Sequence, residues 1–150
     1  MIQIIKGDAT EPIKKPAIIA HICNTAGRWG RGFVVPLGEK YPMAKSAYLS
    51  LPEYTLGKIQ VINCGNDIVV VNMIAQYGIF PMNGIPPIRY DAVRQCLIKV
   101  HNKALLECRS VHMPKIGSGL AGGDWKIIYK IIQDIFDTFG VDVYIYEYKE

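Results

Sequence analysis

Two segments of this 150-residue chain combine glycine with polar residues at spacings that suit anion chemistry. The first is His21-Ile22-Cys23-Asn24-Thr25-Ala26-Gly27-Arg28-Trp29-Gly30-Arg31-Gly32. The second is Met113-Pro114-Lys115-Ile116-Gly117-Ser118-Gly119-Leu120-Ala121-Gly122-Gly123-Asp124-Trp125. Each follows an apolar run that reads as a strand and leads toward a helical pattern. Glycines leave backbone amides unobstructed by Cβ atoms, and a helix N-terminus adds a favourable dipole, so each segment is suited to phosphate. Two such loops in one small chain predict two phosphates, or one pyrophosphate held from both sides.

Gly117, Gly119 and Gly122 also spell GxGxxG between a strand and a helix, and Glu147 lies at the end of the next strand, where a ribose-binding acid could stand. A dinucleotide-binding Rossmann domain, however, opens with this unit and continues with further strands, whereas here it comes last. That reading is disfavoured. Other chemistries find less support. Cys23, Cys64, Cys96 and Cys108 form no CxxC pair, and His21, His101 and His112 are scattered, so no metal site and no disulfide framework is predicted. The cysteines read as reduced thiols of an intracellular, cytoplasmic protein, with no signal layout in the first ten residues. No cofactor is implied.

The net charge of +4 is mild and has no basic run longer than Lys14-Lys15. Nucleic-acid binding normally shows a basic stripe, so it ranks last, and the excess suits a small anionic ligand or ordinary solubility. No apolar run approaches the roughly 20 residues of a membrane span, so no membrane partner is expected.

The elements that must position the loops follow from apolar spacing. Ile2 to Ile5, Ala17 to Cys23, Ile59 to Asn63, Ile68 to Ile74, Val111 to Ile116 and Val141 to Tyr146 read as strands. Cys64-Gly65-Asn66-Asp67 reads as the turn between the third and fourth. Ile68-Val69-Val70-Val71 does not alternate, so both its faces should be buried in the middle of a sheet. One helix is predicted from about Tyr90 to Glu107, after Pro86-Pro87. A second has Ile128, Ile131, Ile132, Ile135, Phe136 and Phe139 inward, Asp124 at its N-cap and Gly140 just past its end. A third, over Gly30 to Leu49, is broken by Pro36, Gly38 and Pro42. The order predicts an α/β protein: one domain over residues 1–150, with a mostly parallel, mixed sheet sandwiched between helices as three α/β/α layers.

Together these features resemble the macrodomain family, which binds ADP-ribose. The resemblance spans nearly the whole chain, from Lys6-Gly7-Asp8-Ala9-Thr10 through both glycine loops to the Tyr-rich last strand. It is nearest to the yeast-type ADP-ribose 1″-phosphate phosphatases, which carry a similar His-x-Cys-Asn-x-x-Gly-x-Trp-Gly-x-Gly segment. Here that segment is His21 to Gly32, followed by Tyr41-Pro42-Met43-Ala44, with Met113-Pro114 before the second loop and Trp125 after it.

The resemblance implies a set of roles. Asp8 would accept the adenine amino hydrogen and the Ala9 amide would serve a ring nitrogen; alone, Asp8 could be a turn residue. Asn24 would bind the distal ribose, against an Asx-turn as its structural alternative. Gly30 and Gly32 would approach ribose and phosphates, and Trp29 would shield the ribose. Gly117, Ser118, Gly119, Leu120, Ala121 and Gly122 would wrap the pyrophosphate through their backbone. Tyr146, with Tyr148 competing, would lie near the adenine. His21 matches a histidine that would act as general acid or nucleophile, or else is a strand histidine satisfied by hydrogen bonds. Asp124 could position water, with capping as the default. The lysine and aspartate of glutamate-linked ADP-ribose hydrolases are absent from Ala75-Gln76-Tyr77-Gly78 and Gly119-Leu120-Ala121. The expected activity is binding of ADP-ribose and hydrolysis of ADP-ribose 1″-phosphate. A non-catalytic reader, or hydrolysis of acetylated or protein-linked ADP-ribose, is the alternative, with ADP-ribosylated protein as a partner.

Overall fold

The computed structural model describes residues 1–148. Its elements run β1 (Ile2–Lys6), β2 (Ala17–Asn24), α1 (Val34–Lys40), α2 (Pro42–Leu49), β3 (Ile59–Asn63), β4 (Ile68–Gln76), α3 (Tyr90–Glu107), β5 (Ser110–Pro114), α4 (Trp125–Phe136) and β6 (Val143–Glu147). The six strands form one sheet in the order β1-β6-β5-β2-β4-β3. Neighbours are parallel throughout except β3 against β4. This is the expected mixed, mostly parallel sheet between helical layers.

Burial explains the apolar runs. Every residue of β4 from Ile68 to Ala75 is buried, as its lack of alternation predicts. On one face Ile18, Ala20, Val71 and Met73 meet Val93, Leu97 and Val100 of α3 and Ile128, Ile132 and Phe136 of α4. On the other, Ile19, Ile68 and Val70 meet Leu37, Tyr41 and Ala44 at α1 and α2. That second helical layer lies over β2 and β4; above β5 and β6 the β1–β2 connection takes its place. There the Ile13 amide donates to the Tyr146 hydroxyl at 3.1 Å, and Lys14 pairs with Asp142 at 3.0 Å.

The β3–β4 turn forms as read, with Ile68 N–H donating to the Gly65 carbonyl at 3.0 Å. Two helix boundaries differ from expectation. The broken helix over Gly30 to Leu49 is two short helices beginning only at Val34, with Pro42 opening α2 where its missing N–H costs nothing. At the other end, α4 stops at Phe136 because Asp137 leaves the helical region at ψ 49. Phe139, expected inward, therefore falls beyond the helix and is fully exposed.

No helix among the described residues is long and apolar enough to cross a membrane.

Candidate functional site

The parallel strands β1, β6, β5 and β2 end on one side of the sheet, and the loops that follow them converge there. A cavity of about 280 Å³ opens between these ends, lined by Gly7, Asp8, Ala9, Gly32, Phe33, Pro36, Pro114, Tyr146 and Tyr148. Of the residues expected at the ligand, Asp8, Ala9, Gly32 and Tyr146 are brought together here. Sequence reasoning gave no role to Phe33, Pro36 or Pro114, although Phe33 directly follows Gly32 and Pro114 closes the last residue pair of β5.

Asp8 is shaped for one outward contact. Its Oδ1 accepts from the Thr10 amide at 2.9 Å and the Thr10 hydroxyl at 2.8 Å. That turn fixes the carboxylate and leaves Oδ2 without a protein partner among the described residues. The Ala9 amide is likewise unpartnered there, on a residue only 3% exposed. A fixed acceptor beside a buried donor is a pair that recognises a planar amidine-like edge.

The second glycine loop, residues 117–123, closes on itself. Gly123 N–H donates to the Gly117 carbonyl at 2.7 Å and Gly122 N–H to the Gly119 carbonyl at 3.0 Å. Gly117 sits at φ +71, and a Cβ there would stand 2.9 Å from both Ile88 and Ile128 methyls, so only glycine fits. The amides of Ser118, Gly119, Leu120 and Ala121 make no protein hydrogen bond among the described residues. The Ser118 hydroxyl instead turns back to the Lys115 carbonyl at 3.0 Å. The 77–89 connection ties both loops together. Ile88 N–H donates to the Ala121 carbonyl at 3.2 Å, and Gly78 N–H donates to the Thr25 hydroxyl at 2.9 Å.

Several side chains expected to meet a ligand are committed within the protein. Asn24 is the hub of the first loop: its Oδ1 accepts from the Ala26 and Arg28 amides at 3.0 and 3.1 Å and from the Tyr48 hydroxyl at 2.9 Å. Its Nδ2 donates to the Arg28 carbonyl at 2.9 Å, so the Asx-turn alternative describes its contacts. Trp29 turns inward and does not line the cavity. Its ring packs edge-on to His21 at 5.3 Å and against Tyr48, and its Nε1 donates to the Val34 carbonyl at 2.9 Å. Asp124 caps α4, its Oδ1 accepting from the Lys126 amide at 2.9 Å. Gly30, Arg28 and Arg31 are exposed. Glu147 pairs with Lys115 at 3.3 Å.

His21 is 2% exposed, on the α1–α2 side of β2. Its Nε2 is hydrogen-bonded to Asn72 Oδ1. Asn72 Nδ2 in turn donates to the Ala44 carbonyl at 3.2 Å and Gln60 Oε1 at 3.1 Å. The Trp29 and Phe33 rings close over the imidazole. Burial lowers its pKa from 6.5 to about 4, partly opposed by the Asn72 hydrogen bond. The ring is therefore a neutral donor inside a satisfied network, and no buried side-chain N or O among the described residues lacks a partner. The catalytic role expected for His21 finds no exposed nitrogen to carry it. No group of three or more His, Cys, Asp or Glu that could hold a metal occurs among the described residues.

His112, fully buried on β5, is also lowered to about 4, chiefly by burial. Both rings have folded values below the ordinary 6.5, so the unfolded chain binds more protons than the native one between about pH 4 and 6.5. Stability is complete above pH 6.5 and falls on acidification through that window, by on the order of 3 kcal/mol for each ring. Thermal melts at stepped pH should show the midpoint dropping from pH 6.5 downward. A midpoint unchanged between pH 7 and pH 5 contradicts the buried, neutral state of both histidines.

No family model matches the chain. Among solved structures, a protein from Bacteroides thetaiotaomicron is 47% identical over 97% of both chains, with a TM-score of 0.93. A macrodomain protein from Streptomyces coelicolor is 34% identical over 98% of this chain and 99% of its own, with a TM-score of 0.83. The ADP-ribose 1″-phosphate phosphatase of Candida albicans is 28% identical over 97% of this chain and 99% of its own length. The chain also aligns over 99% of its length with the Danio rerio chromodomain-helicase-DNA-binding protein 1-like at 27% identity, but spans only 16% of that protein.

Proposed function

The chain belongs to the macrodomain family, and from that premise we propose that it binds ADP-ribose and hydrolyses a phosphate ester on the distal ribose, converting ADP-ribose 1″-phosphate to ADP-ribose and phosphate. The observation that carries the binding is the cavity in which fixed Asp8, the free Ala9 amide and the Tyr146 ring meet. An adenine presents an amino donor beside a ring-nitrogen acceptor, which is the complement of Asp8 Oδ2 and Ala9 N–H. The four unpartnered amides of residues 118–121 then suit the pyrophosphate, whose negative charge backbone donors can meet. The small net charge of +4 accords with a ligand bound by backbone.

Hydrolysis requires a water oxygen to attack phosphorus. The bond from phosphorus to the sugar oxygen breaks, and that oxygen regains a proton. The loop amides would carry the charge that develops on the phosphoryl oxygens. Asp124, with Oδ1 spent on its cap, has Oδ2 left to orient water. His21 serves by holding Trp29 and Phe33, and Asn24 by shaping the first loop. The reaction is supported by the full-length likeness to the Candida albicans phosphatase.

A second reading, a domain that binds ADP-ribose without turnover, is favoured by one observation: His21 and Asn24 are engaged inside the protein, and Asp124 spends one carboxylate oxygen on its helix cap. Phosphate release from ADP-ribose 1″-phosphate decides between them. Multiple turnovers are expected for the phosphatase; tight binding of ADP-ribose with no phosphate released leaves the reader.

A further inference from the structure

The half of the sheet left bare by α1 and α2 hides a directed chain of hydrogen bonds. The Ile13 amide donates to the Tyr146 hydroxyl at 3.1 Å. That hydroxyl lies 2.7 Å from His112 Nδ1, and His112 Nε2 lies 2.8 Å from the Ser110 hydroxyl, which donates to the Pro16 carbonyl at 3.3 Å. An amide at one end can only donate and a carbonyl at the other can only accept. Because the Ser110 hydroxyl spends its proton on Pro16, Nε2 donates to Ser110, and the bare Nδ1 of the neutral ring accepts from the Tyr146 hydroxyl. The imidazole is thereby confined to a single neutral tautomer, and its ring is stacked on Tyr144 at 5.0 Å.

Both ends of the chain lie in the β1–β2 connection, the same stretch that begins with Asp8 and Ala9. Lys14 also ties it to Asp142 at 3.0 Å, and at the far side Tyr41 donates to the Thr10 carbonyl at 2.9 Å and Lys40 pairs with Glu11 at 2.6 Å. Tyr146 itself lines the cavity, while its hydroxyl is engaged by His112 and Ile13. So one buried histidine that touches no ligand sets a cavity wall and, through it, the segment carrying the adenine-facing pair.

We propose that His112 is a positioning residue for adenine recognition, acting through the Tyr146 hydroxyl to hold the β1–β2 connection over the cavity; this rests on the ADP-ribose reading above. A second proton on His112 would set its Nδ1–H against the Tyr146 O–H, which cannot turn to Ile13 because that partner is also a donor. The charged and titratable groups around the ring are Lys14 of the connection, with Tyr144 and Tyr146 on β6. Lys14 opposes a charge on His112, and its own charge is met by Asp142.

Calorimetry with AMP and with ADP-ribose tests this on wild type, H112F, Y146F and the double variant. Each single change is expected to weaken both ligands by about tenfold, and the double change by no more than either. Folded single variants that bind AMP as wild type does, or losses that multiply in the double variant, overturn the proposal. If wild type itself binds neither ligand, the ADP-ribose reading fails first. Nitrogen-15 shifts of the His112 ring in the unaltered protein give a test that needs no variant to fold. A protonated Nε2 with a bare Nδ1 at neutral pH is expected; the opposite tautomer overturns the proposal.

Discussion

Replacing Asp8 by asparagine is expected to weaken ADP-ribose binding by about 10- to 100-fold while leaving the fold intact. The substitution is chosen because the two carboxylate oxygens have separable duties. Oδ1 caps the turn by accepting twice from Thr10, and an amide oxygen can do the same. Oδ2 becomes an NH₂ group, a donor aimed at the adenine amino donor. The loss combines a charge-assisted hydrogen bond, about 1.5–3 kcal/mol, with a donor set against a donor. A melting temperature near that of wild type, measured alongside calorimetry, separates recognition from folding. Unchanged affinity in D8N would mean that the cavity does not read adenine through this carboxylate.

The second large effect is expected at Gly123, where the loop's two ends touch. A Cβ there would meet the Gly117 carbonyl oxygen and stand 2.8 Å from the Ile128 methyl. The hydrogen bond from Gly123 N–H to that carbonyl, 2.7 Å, closes the ring of backbone that carries the four unpartnered amides. Alanine must therefore push the ends apart or displace Ile128 in the core. Overpacking of this kind costs about 1–3 kcal/mol of stability. Binding should fall by at least about tenfold, since amides that no longer share one curvature cannot meet one pyrophosphate. Gly119, with open space where its Cβ would project, supplies the stability control, and G119A should melt as wild type does. A G123A protein with wild-type melting and wild-type affinity contradicts this use of the loop.

The fold was more legible in the sequence than the site. The limits of α3 were read at Tyr90 and Glu107 because its apolar spacing coincides with Pro87 before it and a change of pattern after it. The unbroken Ile68-to-Val71 run gave away a strand buried on both faces. Periodicity failed where the chain departs from helix without a change of residue type. Phe139 continues the apolar spacing of α4, yet the helix has already ended at Phe136.

At the candidate site, the glycine loops and Asp8 stand out in the sequence because their chemistry is local: a turn or an open amide depends on neighbours in sequence. Trp29 and His21 were harder. Each can serve a ligand or a core, and the choice depends on which face of the sheet α1 and α2 cover. His21 shares its side of β2 with Ile19 and Cys23, which are buried under those helices. Asn24 suits either a ribose contact or an Asx-turn by sequence, and its contacts to Ala26, Arg28 and Tyr48 are those of the turn. The His112–Tyr146 chain had no sequence signal at all, because it joins residues 34 positions apart on neighbouring strands.

The most direct measurement is a calorimetric titration of the unaltered protein with ADP-ribose at neutral pH. Saturable binding of one ligand per chain, with affinity in the micromolar range or tighter, is the result expected if the cavity takes the adenine and the second glycine loop the pyrophosphate of one molecule. No saturable heat at high micromolar ligand would contradict the account at its centre.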